Sequence, residues 1–146
     1  MNILVSACLL GEKCRYDGGG KPDGELMNAL KGHKIVPVCP EKLGGLPIPR
    51  PPAEIKGGRV VSRTGADVTE EFRRGAARVL EIAKGTGCTL AVLKERSPSC
   101  GRGKVYDGTF SGILIEGDGV TARLLMENGV RVIGETAAEE LSDLDK

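Results

Sequence analysis

The chain has 146 residues, of which 40% are hydrophobic and 28% charged, and its formal net charge is +1. This length predicts a single domain over residues 1–146 with a hydrophobic core of its own. The near-neutral charge and the aromatic content of 3% argue against a nucleic-acid partner, whose binding sites favour basic patches and stacking side chains.

Signals for export or membrane insertion are missing from the sequence. No apolar run approaches the roughly 20 residues that a membrane-spanning helix needs. The first ten residues have neither the basic start nor the small-residue cleavage site of a signal peptide. We therefore expect a cytoplasmic protein with no membrane partner. In that reducing compartment, an odd number of five cysteines indicates metal binding or catalysis rather than a disulfide framework.

Apolar runs, a capping aspartate and a pair of glycines define the first half of the chain. Short β-branched and aliphatic runs are typical of buried strands. Asp23 is placed to cap a short helix, and Gly57-Gly58 is the pattern of a two-residue hairpin turn. Pro37 lacks a backbone donor and favours a sheet edge for its strand. In chain order we expect a strand at residues 2–7, a helix at 24–30, a strand at 34–38, a loop at 43–52, and hairpin strands at 53–56 and 59–63.

The second half contains the longest amphipathic segment. Asp67 and Glu70 have capping-box spacing, and apolar residues recur after them at helical intervals. Gly129 stands where a glycine ends a helix. In chain order we expect a helix at residues 68–84, a strand at 89–93, a long loop at 101–119 with a short strand at 112–115, a helix at 120–128, a strand at 130–133, and a terminal helix at 137–144.

Alternation of strands and helices predicts the fold class. Such an alternation is typical of a mostly parallel sheet that helices cover on both faces. We therefore expect an α/β, single-domain, three-layer Rossmann-like fold, with about four strands in the sheet and a small hairpin beside it.

Three cysteines follow three of the predicted strands. Cys8, Cys39 and Cys100 would all emerge at the carboxyl edge of a parallel sheet, where ligands bind in such folds. Three buried, inert thiols are the alternative, because free cysteine is often buried. The spacing excludes a zinc finger or ribbon. Three thiolates without a fourth ligand indicate an open-site metal centre, such as an iron–sulfur cubane with one exchangeable iron position.

The other two cysteines receive different interpretations. Cys88 stands before the strand at residues 89–93, at the opposite edge of the sheet, and we expect a buried structural thiol. Cys14 lies in a loop six residues after Cys8, at the same edge as the three candidate ligands. A fourth ligand, a redox thiol and no role at all remain open for Cys14.

Several separate motifs occur along nearly the whole chain, at residues 6–11, 14–18, 38–41, 44–46, 49–55, 94–101 and 105–110. In their residues and their order these motifs resemble the DUF523 family, which includes the thiouracil desulfidases.

This resemblance implies a function and a set of site residues. It implies an oxygen-sensitive [4Fe-4S] cluster held by Cys8, Cys39 and Cys100, whose remaining iron takes the sulfur of a thiocarbonyl substrate such as 2-thiouracil. Attack by water would give uracil and sulfide without net redox change. The family's acid–base residues correspond to Glu41 and Ser97. Without the resemblance, Glu41 is equally a solvent carboxylate that pairs with Lys42 or Arg50, and Ser97 is equally a turn hydroxyl that binds the backbone.

Three functions are therefore weighed. The first is a desulfidase that acts on a thiolated pyrimidine or a related small molecule. The second is a non-catalytic iron–sulfur or metal-binding protein that senses or handles sulfur. The third is a thiol redox enzyme that uses Cys8 and Cys14, against which the missing Cys-x-x-Cys pattern counts. An acid–base pair beside the thiols favours the enzyme over a carrier. The sequence leaves the oligomeric state open.

Overall fold

The computed structural model describes residues 1–20 and 23–137. Strands and helices alternate along them as expected. In chain order the elements are β1 (Asn2–Ser6), a 3-10 helix (Ala7–Leu10), α1 (Gly24–Ala29), β2 (Lys34–Val38), α2 (Pro40–Leu43), β3 (Ala53–Lys56), β4 (Arg59–Ser62), α3 (Thr69–Thr86), β5 (Leu90–Leu93), β6 (Lys104–Tyr106), β7 (Leu114–Glu116), α4 (Val120–Glu127), β8 (Arg131–Gly134) and a second 3-10 helix (Glu135–Ala137).

A four-stranded parallel sheet organises the molecule, and it confirms the predicted fold class. Its strand order is β2-β1-β5-β8, and each neighbouring pair is parallel. The strand that contains Pro37 lies at an edge, as predicted, because the missing donor of a proline is tolerated where one side of a strand is unpaired.

Side chains on β1 alternate between two cores, one on each face of the sheet. Ile3 and Val5 pack with Leu26 of α1 on one face. Leu4 belongs to the other core, which includes Val79 of α3. Leu125 of α4 lies in this second core as well. Successive strand residues point to opposite faces, so a continuously apolar strand is the signature of a sheet covered on both sides.

The structure corrects the predicted limits of several elements. Residues 40–43, between the predicted strand at 34–38 and the first residue of the predicted loop at 43–52, form the helix α2, because Pro40 occupies a first helical position that suits its fixed φ. Helix α3 begins at Thr69 instead of residue 68, because Val68 is the capping residue and its φ of −114° is not helical. The Asp67 carboxylate accepts the Thr69 N–H at 2.9 Å. The predicted terminal helix at 137–144 lies outside the described residues, apart from Ala137 at the end of a 3-10 helix.

Two small antiparallel sheets flank the parallel one. The predicted hairpin is present as β3 and β4, and its two turn glycines, Gly57 and Gly58, have positive φ angles of 58° and 78°. The loop after Cys100 contains a second pair, β6 and β7. Only a short strand at residues 112–115 was expected there, because the three-residue strand β6 is too short to show an alternating pattern. Over the described residues, no helix has the length and apolar character to cross a membrane.

Candidate active site

The three candidate ligand thiols come from three neighbouring strand ends. Cys8 lies in the 3-10 helix that follows β1, Cys39 directly follows β2, and Cys100 lies in the turn after β5. Strand β1 stands between β2 and β5 in the sheet, so the three segments leave the same edge side by side. The structure brings all three cysteines to the wall of one cavity of about 460 Å³, which Glu41 and Ser97 also line.

Two serines shape the turn that presents Cys100. The Ser97 hydroxyl oxygen accepts the backbone N–H groups of Ser99 and Cys100, each at 3.1 Å. Ser99 is buried, and its Oγ lies 2.7 Å from Oγ1 of Thr121 in α4. Ser97 therefore performs the turn role weighed from the sequence while it also lines the cavity, whereas Ser99 anchors the turn to the helix layer.

Ser6 is a site residue that the sequence did not single out. Its buried hydroxyl donates to Cys100 Sγ at 3.4 Å and accepts the Lys94 N–H at 2.9 Å. The last residue of β1 thus holds both the exit of β5 and the Cys100 thiol. A small polar residue at the end of an apolar strand, two positions before Cys8, was the available signal.

Close backbone contact fixes the helix that carries Glu41. A Cβ placed on Gly75 of α3 would stand 1.9 Å from the Pro40 carbonyl oxygen, and one on Gly44 would stand 2.0 Å from the Glu71 carbonyl oxygen. Glycine at both positions lets α2 lie directly on α3. Arg74 adds a hydrogen bond from Nη1 to the Gly44 carbonyl at 3.1 Å. Helix α2, and Cys39 and Glu41 with it, is consequently held by the helix layer.

The Glu41 carboxylate has a buried partner. Its Oε2 accepts a hydrogen bond from Arg50 Nη2 at 2.9 Å, and the two side chains are 21% and 4% exposed. Lys42, the other partner weighed from the sequence, instead contacts Glu12 at 3.3 Å on the surface. Glu41 is therefore a half-buried carboxylate at the cavity wall, with one guanidinium that fixes its direction.

Cys14 lies among the candidate ligands. Its free thiol is buried and interacts with the thiols of Cys8 and Cys39, and its carbonyl oxygen accepts a hydrogen bond from Cys39 Sγ at 3.7 Å. The hydrogen bond from Cys14 lowers the pKa of the Cys8 thiol. Cys39 lowers the pKa of Cys14, but Cys8 and burial outweigh it and raise that pKa to about 11. The hydrogen bond with the Cys14 thiol is the largest cause that raises the pKa of the Cys39 thiol, and burial is the second.

Cys100 differs from the other thiols of the cavity in the main cause of its pKa shift. Burial raises the pKa of its thiol to about 12, against the opposing hydrogen bond with Ser6. The negative charge of Glu41 and the neighbouring Cys39 raise it further. These raised pKa values favour the neutral thiols, and a bound metal ion is what would favour their thiolate forms.

Aromatic side chains form part of the cavity wall. Tyr16, Tyr106 and Phe110 line it, although the chain has only two tyrosines and two phenylalanines. Phe110 adopts a left-handed φ of 57°, and its backbone N–H donates to Glu54 Oε1 at 3.1 Å. The Arg63 guanidinium lies 5.4 Å from the centre of the Phe110 ring. A cavity with aromatic walls and a few placed polar groups suits a planar heterocycle.

Comparison with known proteins agrees with this geometry. The family model described as 2-thiouracil desulfurase matches residues 3–137. The chain belongs to the 2-thiouracil desulfurase family. This confirms the resemblance stated from the sequence motifs.

Two relatives match nearly end to end. A curated protein of Bacillus subtilis (strain 168), the uncharacterized protein YbbK, is 46% identical over 152 residues, which cover 97% of this chain and 99% of that protein. The solved structure of the [4Fe-4S]-dependent thiouracil desulfidase TudS superimposes with a TM-score of 0.91 at 46% identity, and the match covers 97% of this chain and 95% of that one.

Two chemistry-bearing residues of this desulfurase-family chain lie away from the cavity. Cys88 precedes β5 at the amino end of the sheet, where its buried Sγ lies 3.2 Å from Thr86 Oγ1. His33 precedes β2 at that same end, and its Nδ1 lies 3.3 Å from the amino-terminal nitrogen. Neither residue lines the cavity described above.

Proposed function

We propose that this protein is a [4Fe-4S]-dependent desulfidase that hydrolyses the C=S group of a thiolated pyrimidine such as 2-thiouracil. The reaction balances without an oxidant or reductant, since 2-thiouracil and water give uracil and hydrogen sulfide. One observation carries the proposal: Cys8, Cys39 and Cys100 line a single cavity together with Glu41 and Ser97. Membership in the 2-thiouracil desulfurase family and the likeness to TudS support it.

The donor set at the cavity fits an iron–sulfur cluster. Thiolates are the usual ligands of such clusters, and three of them converge here. Cys8, Cys39 and Cys100 would hold the cluster, which would supply an iron open to a soft sulfur atom as a Lewis acid.

Ser97 would donate a hydrogen bond to the substrate. Its oxygen already accepts two backbone N–H groups, which occupy both lone pairs. The hydroxyl proton is the part of the group left for another partner, and Ser97 lines the cavity. A fixed hydroxyl donor of this kind would orient the thiocarbonyl sulfur or the ring carbonyl oxygen, which are the acceptors of such a substrate.

Glu41 would transfer the proton that hydrolysis requires. Water must lose a proton as it attacks carbon, and the departing sulfur must gain one. A carboxylate at the cavity wall, held by Arg50, can accept the first proton and return it to sulfur. The same group would thus serve as base and then as acid in one turnover.

Anaerobic reconstitution followed by a sulfide assay tests the proposal. We expect a brown protein with about four irons and four sulfides per chain, as in an ordinary cubane. We also expect this protein to release sulfide and uracil from 2-thiouracil. A colourless product would contradict the cluster. A brown protein without sulfide release would favour the non-catalytic sulfur sensor or carrier, and thiol–disulfide turnover by cluster-free protein would favour the redox enzyme.

A further inference from the structure

Arg50 is a buried cation, and its hydrogen bonds join separate parts of the site. It lies in the loop that follows α2, seven residues after Leu43, and its side chain is 4% exposed. Nη2 donates to Glu41 Oε2 at 2.9 Å and to the Cys14 carbonyl oxygen at 3.0 Å. Nη1 donates to the Pro47 carbonyl oxygen at 3.1 Å. One side chain therefore connects α2, the loop that contains Cys14, and its own loop.

The environment of Arg50 is not one that stability alone explains. Removing a guanidinium from water is costly unless every donor finds a partner. Arg50 Nε is buried and has no hydrogen-bond partner among the described residues. A buried cation with an unpaired donor is weak support for a fold, and such groups call for another explanation. The group that gains from this cation is the Glu41 carboxylate.

We propose that Arg50 is a positioning residue for the reaction, which it assists by fixing the Glu41 carboxylate against the cavity. The proposal rests on the function proposed above. A planar guanidinium offers donors on separate nitrogens at fixed directions, so it can hold a carboxylate and two carbonyl groups at once. Carboxylate direction decides whether a proton reaches water and sulfur, and an error of about 1 Å in such a group can cost about 100-fold in rate.

The neighbouring ion pair of Lys42 supplies the contrast. Lys42 and Glu12 are 58% and 46% exposed and 3.3 Å apart. Exposed pairs of this kind hold neither partner firmly. Positions 41 and 42 are adjacent on the same short helix, yet only position 41 has a buried partner. Lys42→Met is accordingly a matched control for loss of an ion pair at α2.

Steady-state kinetics of Arg50→Gln and Arg50→Lys, in reconstituted protein, test the role. We expect Arg50→Gln to lower kcat about 10- to 100-fold, the usual effect of removing a supporting partner, with KM within about 2-fold. Arg50→Lys should recover part of the loss in kcat, because lysine keeps the positive charge but lacks the planar guanidinium and its fixed donor directions. Iron content and the visible spectrum should match wild type in both variants. Lys42→Met should keep wild-type kcat.

A double-variant cycle identifies the group through which Arg50 acts. In a Glu41→Gln background, Arg50→Gln should lower kcat by less than about 2-fold, because residues that work as a unit are not additive. An additional loss as large as in wild type would overturn the proposal, as would an unchanged kcat in Arg50→Gln alone. Absence of activity in wild type would instead defeat the proposed function.

Crystal structures of cluster-free wild type and the two variants give a readout that needs no activity. We expect the Glu41 carboxylate to leave its place in Arg50→Gln and to return near it in Arg50→Lys. An unmoved carboxylate in Arg50→Gln would overturn the positioning role. If Arg50→Gln does not fold, Arg50→Lys decides the matter. A wild-type kcat in that variant would show that the positive charge suffices without the planar guanidinium, and this would overturn the positioning role.

Discussion

The two ends of strand β5 each carry a buried cysteine, and the comparison separates burial from function. Cys88 precedes the strand and Cys100 follows it, and both are 5% exposed. Each thiol lies near a hydroxyl, Thr86 at 3.2 Å and Ser6 at 3.4 Å. The difference lies in the further neighbours: Cys100 shares a cavity wall with two other strand-end thiols and a carboxylate, and Cys88 does not. Burial and one hydrogen bond are ordinary for a cysteine, whereas convergence of such groups is not.

Replacing the two thiols of this comparison should give the largest difference. We expect Cys100→Ala to lose the cluster, with iron falling from about four per chain to nearly none, because one of three ligands is gone. Cys88→Ala should keep the full iron content, since it removes a thiol at the other end of the sheet. Iron and sulfide assays after anaerobic reconstitution measure both. Equal iron content in the two variants would contradict the proposal that Cys100 is a ligand and Cys88 is not.

Removal of the acid–base group should leave the cluster in place. We expect Glu41→Gln to lower kcat for sulfide release about 10²- to 10⁴-fold, the range that general acid–base catalysis supplies. Iron content and visible absorption should stay at wild-type values, because Glu41 is not a proposed ligand. Sulfide release at the wild-type rate would remove Glu41 from the mechanism.

Two glycines of helix α3 extend the comparison to stability. Gly75 lies under α2 at the site end, where a Cβ would meet the Pro40 carbonyl oxygen at 1.9 Å. Gly85 lies towards the Cys88 end, and nothing stands within 4 Å of a Cβ there. We expect Gly75→Ala to lower the free energy of unfolding by about 1–3 kcal/mol through overpacking. Gly85→Ala should raise it by about 0.5–1 kcal/mol through helix propensity.

Urea unfolding of cluster-free protein measures these two changes. A stabilised Gly75→Ala variant would contradict the direct contact between α2 and α3. Since Cys39 and Glu41 lie on or beside α2, Gly75→Ala should also assemble the cluster less completely than Gly85→Ala.

The two serines of the Cys100 turn should have similar effects on stability and different effects on kcat. Ser97→Ala and Ser99→Ala each remove hydrogen bonds that fix the turn, and we expect each to cost about 1–2 kcal/mol, as loss of a helix cap does. Only Ser97→Ala removes a hydroxyl that lines the cavity, so it alone should also lower kcat. Urea unfolding and sulfide release, measured on both variants, separate the turn role from the substrate role. Equal kcat losses would leave Ser97 with the turn role only.

Cys14→Ala should leave the cluster content unchanged. The Cys14 thiol interacts with those of Cys8 and Cys39, and we propose that it supports these ligands without being one. We expect about four irons per chain in this variant, as in wild type. A cluster that fails to assemble in Cys14→Ala would instead make Cys14 a ligand.

The sequence by itself determined the parallel sheet and the edge at which the three candidate ligand cysteines lie. Continuous apolar runs require burial on both faces, and parallel strands all point their carboxyl ends the same way. Cys8, Cys39 and Cys100 were therefore expected at one edge, and Pro37 was expected at a sheet margin, before any coordinates. The family could be identified from the sequence because its motifs occur along nearly the whole chain.

Only the tertiary structure decided how the site is held together. Arg50 reaches Glu41 across nine residues, Ser6 reaches Cys100 across 94, and α2 lies on α3 through glycines more than thirty residues apart. Such contacts depend on packing between elements, which local propensity and periodicity do not encode. The same limit explains the missed strand β6, whose three residues gain their structure from pairing with β7.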